Sequence, residues 1–119
     1  MRLNVNVLDG IVVLRPQGEV NFENTSMISQ AIRERLDSER HFLLDLTNVP
    51  YMDSTSLGTV LDALRSVRSR DGDLRLAGLA DNVRRVFDLM DAGRVLRIFT
   101  TPEEGLMSFA QSAEARERA

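Results

Sequence analysis

The sequence predicts an α/β sandwich: a small mixed sheet, with an N-terminal antiparallel hairpin and then parallel strands, packed with about four helices. Three observations carry that prediction. Leu3, Val5 and Val7 alternate with polar residues and run into Asp9-Gly10, a tight-turn pair, followed by the apolar run Ile11-Val12-Val13-Leu14. Phe42-Leu43-Leu44-Asp45-Leu46 is a near-continuous apolar run, the pattern of a strand covered on both faces. Beyond it, segments of helical spacing alternate with short apolar runs, as in a layered α/β domain.

The elements follow in order. Leu3, Val5 and Val7 form the buried side of the first strand, and Pro16 and Gly18 are expected to end or bend the second. Gly18 to Thr25 is a polar connection into a helix that Asn24, Thr25 or Ser26 can cap, with Met27, Ile28, Ala31, Ile32 and Leu36 as its apolar face. Arg33, Glu34, Arg35 and Asp37 lie on the solvated side. His41 stands at the entry of the central strand, and Asp45 sits near its exit, where the expected role is a hydrogen bond to loop backbone.

Thr47 to Tyr51 is a loop, and an amphipathic helix runs from Leu57 to about Arg70, with Leu57, Val60, Leu61, Leu64 and Val67 toward the sheet. Asp71-Gly72-Asp73 stops it, with the glycine suited to the C-terminal cap. Leu74 to Gly78 is the next strand. Asp81 or Asn82 caps a third helix with core positions Val83, Val86, Phe87 and Met90, ended by Ala92-Gly93. Val95 to Phe99 is the last strand. Thr101-Pro102-Glu103-Glu104 opens a final helix, because proline fits its first position and carboxylates suit its positive end. Leu106, Phe109, Ala110 and Ala113 are its inward positions, and residues from about 113 to 119 form a charged, fraying tail.

Composition narrows the function classes. With 119 residues, the expected organisation is a single domain over 1–119 with one core. Hydrophobic residues at 43% and charged residues at 28% describe an ordinary soluble globular chain. No apolar stretch approaches the roughly 20 residues of a membrane span, and the N-terminus lacks a signal-peptide core, so the expected location is cytoplasmic. The absence of cysteine excludes disulfides, thiolate catalysis and cysteine metal sites. A net charge of −3 argues against direct nucleic-acid binding, which needs a basic patch. All 15 basic residues are arginine, which excludes a P-loop lysine, a Schiff-base lysine and the lysine of a receiver-type phosphorylation site.

Chemistry concentrates at Met52–Gly58, MDSTSLG, where the central strand gives way to a helix. One reading makes Asp53, Ser54, Thr55 and Ser56 helix-starting residues only, since a side-chain oxygen there can accept a bond from an orphan N–H. The other makes Ser54 the carrier of a phosphoryl group, with Thr55 as second choice. The free N–H donors and positive dipole end of a helix tolerate added phosphate charge.

Catalysis by Ser54 itself finds no support. His41 is the only histidine, and at about 3.3 Å per residue the central strand separates it from Ser54 by roughly 15–20 Å. No GxSxG elbow and no GxGxxG follow a strand. Asp45 and Asp53 alone make a weak metal signal. No catalytic residue, metal or cofactor is assigned, and Ser54 is read as a substrate.

The MDSTSLG segment resembles the phosphorylation loop of the STAS domain found in bacterial anti-sigma factor antagonists, typically Asp-Ser-Ser/Thr-Gly-Leu. The likeness extends from about Leu3 to Ser112 through Gly18-Glu19-Val20-Asn21, FLLDLTNV and LRLAGLADNVRRVFDLMDAGRVLRIF. It implies a STAS-like sandwich and a non-enzymatic switch. The unphosphorylated chain would bind an anti-sigma factor that is also an ATP-dependent serine kinase, releasing the sigma factor. Phosphorylation at the position matched by Ser54 would disable it, and a phosphatase would reset it.

The resemblance implies a partner surface of Asp53, Ser54, Thr55, Ser56 and Gly58, with Asn21 to Asn24 on the same rim. Ser56 departs from the family's usual glycine and Asn21 from its frequent acidic residue. The alternative is a phosphorylation-independent STAS subunit, for example of a membrane transporter complex. The default state is a monomer.

Overall fold

The computed structural model describes the backbone of residues 1–118 and the side chains of residues 1–110. The elements are β1 (Arg2–Leu8), β2 (Ile11–Gln17), α1 (Ser26–Arg33), β3 (His41–Asp45), α2 (Ser54–Arg68), β4 (Asp73–Ala77), α3 (Asp81–Leu89), a 3-10 turn (Ala92–Arg94), β5 (Ile98–Phe99) and α4 (Pro102–Arg118). The sheet order is β1-β2-β3-β4-β5. β1 and β2 are antiparallel and the other neighbours parallel, which gives the expected mixed sheet. Among the described residues, no helix is long and apolar enough to cross a membrane.

Strand alternation sorts the sheet into two faces. Val12, Leu14, Phe42, Leu44, Leu74 and Leu76 join residues of α1, α2 and α3, including Ile28, Ile32, Leu57, Val60, Leu64, Val83 and Phe87, in the main core. Ile11, Val13, Leu43 and Ala77 face the other way and meet Phe109 of α4. Each fully buried leucine, isoleucine or phenylalanine contributes about 1.5–3 kcal/mol through area removed from water.

The hairpin closes as expected. Asp9 (φ 51°) and Gly10 (φ 78°) both take positive φ between the paired Leu8 and Ile11, the geometry of a two-residue primed turn. Pro16 does not end β2, which continues to Gln17. Counting the antiparallel alternation from the turn-closing pair Leu8–Ile11 puts Pro16–Leu3 at a non-hydrogen-bonded position. β3 pairs with β2 only from Ile11 to Leu14, so the missing N–H of Pro16 breaks no ladder bond.

Other expectations are corrected. Val7 is exposed, because the core that takes Leu3 and Val5 does not extend to the hairpin end. Met27 and Met90 are exposed as well, at the edges of the apolar faces of α1 and α3. Thr25 is the N-cap of α1 by position, but no side-chain bond caps that helix. Ala80 precedes α3 without a side-chain cap, while Asn82 donates to the carbonyl of Pro50.

After α2 the left-handed residue is Asp71 (φ 62°), not Gly72. Gly72 is instead a close approach, since a Cβ there would lie 2.0 Å from the Arg40 carbonyl oxygen. β5 is reduced to Ile98–Phe99, because the amides of Val95 and Leu96 both turn back to the Ala92 carbonyl. In α4, Ala110 is exposed. The helix bounds take in residues 113–118, and the inward position assigned to Ala113 lies outside the described side chains, as Ala119 lies outside the described backbone.

Candidate functional site

Two segments zip together at the C-terminal end of β3. The amide of Gly18 donates to Asn48 O (3.0 Å), that of Val20 to Tyr51 O (3.0 Å) and that of Asp53 to Val20 O (3.3 Å). Val20 and Met52 form a parallel bridge, and both are fully buried, so they pin this pair of segments to the core. The connection before α1 and the start of α2 therefore share one rim.

Asp53 is the hub of that rim. Its backbone is extended (φ −87°, ψ 168°), and it is the N-cap of α2. Oδ1 accepts from the Ser56 amide (2.8 Å) and the Ser56 hydroxyl (2.6 Å), and Oδ2 accepts from the Phe22 amide (2.9 Å). Desolvation pushes the carboxyl toward its neutral form, but the Ser56 hydroxyl, the Ser56 and Phe22 amides and its own amide outweigh it. The pKa is held below the ordinary aspartate value.

The three hydroxyls of the motif thereby separate. Ser56 is fully buried, its hydroxyl committed to Asp53. Ser54 and Thr55, the first two residues of α2, are exposed. Capping is done by Asp53, so neither Ser54 nor Thr55 starts the helix through its hydroxyl. Helix α2 opens at Ser54, three residues before the expected Leu57, because the extended Asp53 sets its boundary. Gly58 is half-buried, and a Cβ on it would meet nothing within 4 Å, so α2 presents open backbone one turn below Ser54.

Asn21 serves the adjoining turn. Its Oδ1 accepts from the Glu23 amide (2.9 Å) and its carbonyl from the Asn24 and Thr25 amides. Asn24 Oδ1 accepts from the Asn21 amide (2.9 Å), and its Nδ2 donates to the Glu19 carbonyl (2.9 Å), so Asn24 holds this loop and does not cap α1. Glu19, Glu23 and Asp53 are the charged side chains of segments 18–25 and 48–59, which contain no arginine.

The remaining candidates lie elsewhere. Asp45 accepts from the Thr47 amide (3.0 Å) and hydroxyl, as expected, and also from Arg15 Nε (3.2 Å). Asp45 and Asp53 are each taken up by separate donors. His41 opens β3 at the end opposite the Ser54 loop and packs against Phe109, with ring centroids 5.0 Å apart. The expected range Asn21 to Asn24 takes in Phe22 without singling it out, and Tyr51 is not among the expected site residues; they are 68% and 46% exposed on the same rim as Ser54. The available signal was an aromatic residue inside a polar connection, with no apolar periodicity to bury it.

The STAS domain profile matches residues 2–105. The anti-sigma-B factor antagonist of Listeria monocytogenes is 34% identical over 82 residues, covering 68% of this chain and 72% of the relative. The crystal structure of Thermotoga maritima TM1081, a candidate anti-sigma factor antagonist, superposes with a TM-score of 0.83 at 28% identity, covering 89% of this chain and 92% of that one. The anti-sigma factor antagonist SpoIIAA in its unphosphorylated form shares the fold, with a TM-score of 0.79 at 21% identity over 92% of this chain and 97% of that one. The profile match spans both the sheet and the Ser54 loop, and the chain belongs to the STAS domain family.

Proposed function

We propose that this chain is an anti-sigma factor antagonist that works by partner switching, with Ser54 as its phosphorylation site. In the unphosphorylated state the rim formed by Asn21, Asp53, Ser54, Thr55 and Gly58 docks on an anti-sigma factor and so releases a sigma factor, while the buried Ser56, expected on this surface, holds Asp53 from beneath. The anti-sigma factor is an ATP-dependent serine kinase, and a phosphatase restores the serine. The chain contributes no catalytic group, and its serine is the substrate.

The observation that supports this most is the division of labour between Asp53 and Ser54. The helix start is satisfied by a carboxylate, which leaves the Ser54 hydroxyl exposed at the N-terminus of α2. That position favours a phosphate through free N–H donors and the helix dipole. The same phosphate brings about −1.5 to −2 charges beside Asp53. In a docked surface those charges lose hydration, and a penalty of about 3 kcal/mol would lower affinity more than a hundredfold. The relatives named as anti-sigma factor antagonists supply the kind of partner.

The experiment is affinity capture from native lysate with the wild type, Ser54→Ala and Ser54→Glu as baits, with partners identified by mass spectrometry. Capture of an ATP-binding anti-sigma kinase by the first two and not by the third is the expected result. Equal capture by all three would make the Ser54 loop a structural feature and return the reading to a phosphorylation-independent subunit. Phosphate found on a Ser54→Ala chain would move the site to Thr55.

A further inference from the structure

Phe22 poses a problem that folding does not answer. It is 68% exposed, whereas Val20, Val49 and Met52 of the same zipped segments are each 1% exposed or less. It does not hang on a loose loop. Its amide is bonded to Asp53 Oδ2, and the turn around it is closed by Asn21 and Asn24. A large exposed ring on a hydrogen-bonded backbone carries apolar contact area at little conformational cost. Such residues anchor protein interfaces.

We propose that Phe22 is the aromatic anchor by which the unphosphorylated chain docks on its anti-sigma kinase, and that Asp53 with Ser56 is the clamp that holds this anchor ready. This rests on the partner-switching reading of Ser54. Phe22 and Ser54 both adjoin Asp53, one through its backbone amide and one in sequence, so the exposed ring and the Ser54 hydroxyl belong to one rim. Tyr51, 46% exposed, offers a second exposed ring on the neighbouring segment of the zipper.

The chemistry of the occupant follows from the rim. An apolar pocket takes the ring, and basic side chains face Glu19 and Glu23, since the two segments carry carboxylates and no arginine. These peripheral charges stay wet and act mainly on the association rate. A phosphate on Ser54 adds charge beside Asp53, and the desolvation of that charge on docking costs binding. The Ser56 hydroxyl adds a donor to Asp53 that a glycine at this position would lack, so this chain holds the clamp more firmly through its own substitution.

The test adds Phe22→Ala, Phe22→Tyr, Ser56→Gly and Leu89→Ala to the three baits above and follows capture with affinity and phosphorylation kinetics on the purified, captured kinase. Leu89 is 81% exposed at the far end of α3 and controls for loss of any exposed apolar side chain. Phe22→Ala is expected to weaken binding at least about tenfold, and to raise KM for phosphorylation with kcat kept. Leu89→Ala is expected to bind as the wild type does, and Phe22→Tyr, which keeps the ring but brings a hydroxyl to the apolar pocket, is expected to weaken binding less than Phe22→Ala. Ser56→Gly is expected to weaken binding less than Phe22→Ala and to speed hydrogen exchange at the Phe22 amide. Unchanged affinity in Phe22→Ala, with Ser54→Glu still failing to bind, would overturn the anchor and leave the switch standing. Recovery of no kinase by any bait would overturn both.

Discussion

Asp53 shows how one side chain can set the chemistry of its neighbours. By taking the Ser56 amide and hydroxyl on one oxygen and the Phe22 amide on the other, it caps α2, buries Ser56 and leaves Ser54 in solvent. Replacing it by alanine should cost about 1 kcal/mol, as for other N-caps. Its carboxyl pKa is depressed in the folded chain, so its contribution is present above the ordinary aspartate value of 3.8 and is lost as pH falls through the lower folded value. Urea unfolding should therefore show the deficit of Asp53→Asn at neutral pH, shrinking as the solution is acidified. A deficit that grows on acidification would contradict the assignment. Thr25 presents the opposite case, a buried hydroxyl with no hydrogen-bond partner among the described residues. Thr25→Val should raise unfolding stability by about 1 kcal/mol, because nothing is lost but an unsatisfied polar group.

At the scale of elements, α2 joins the core to the rim. Leu57, Val60, Ala63, Leu64 and Val67 fasten it to the sheet, while Ser54, Thr55 and Gly58 stand at its open end. Gly58 is not demanded by packing, since a Cβ there meets open space. Gly58→Ala should thus stabilise the free chain by about 1 kcal/mol in thermal unfolding. If the partner lies close over this turn, the added methyl should also weaken binding in calorimetry. A more stable chain with undiminished affinity would remove Gly58 from the docking surface. Element ends were the least legible part of the sequence. Asp71 and Gly72 offer two candidates for one left-handed position, and the close passage of Arg40 decides which is used. Val95 has strand-like neighbours, yet its amide is drawn into the turn at Ala92.

At the scale of the molecule, the sheet carries different duties on its two faces. The main core supports the rim through Val20, Met52 and Leu57. The opposite face is closed by α4, where the buried Arg75 guanidinium lies 4.1 Å from the Phe109 ring centre and donates to Asp73 and Ser108. Phe109→Ala should destabilise the fold by about 3–5 kcal/mol through lost burial and a cavity. On the proposed function, the folded fraction should still be phosphorylated at Ser54 at the wild-type rate, because α4 packs on the other side of the sheet. A slowed phosphorylation rate in chains shown to be folded would mean that the two faces are coupled.

The sequence by itself determined the hairpin, the buried central strand, the order of helices and the position of the hydroxyl cluster. These depend on local periodicity and turn chemistry, which neighbouring residues carry between them. Tertiary structure alone decided that Pro16 stays within β2, since only strand pairing shows which way its nitrogen points. It also decided which hydroxyl is free. Ser54, Thr55 and Ser56 are equivalent cap candidates by composition, and the separation comes from Asp53 meeting Ser56 on one side and Phe22, thirty-one residues away in sequence, on the other. A contact at that separation leaves no periodic trace in the chain, so the bond that holds the Phe22 backbone at Asp53 is set by the tertiary fold alone.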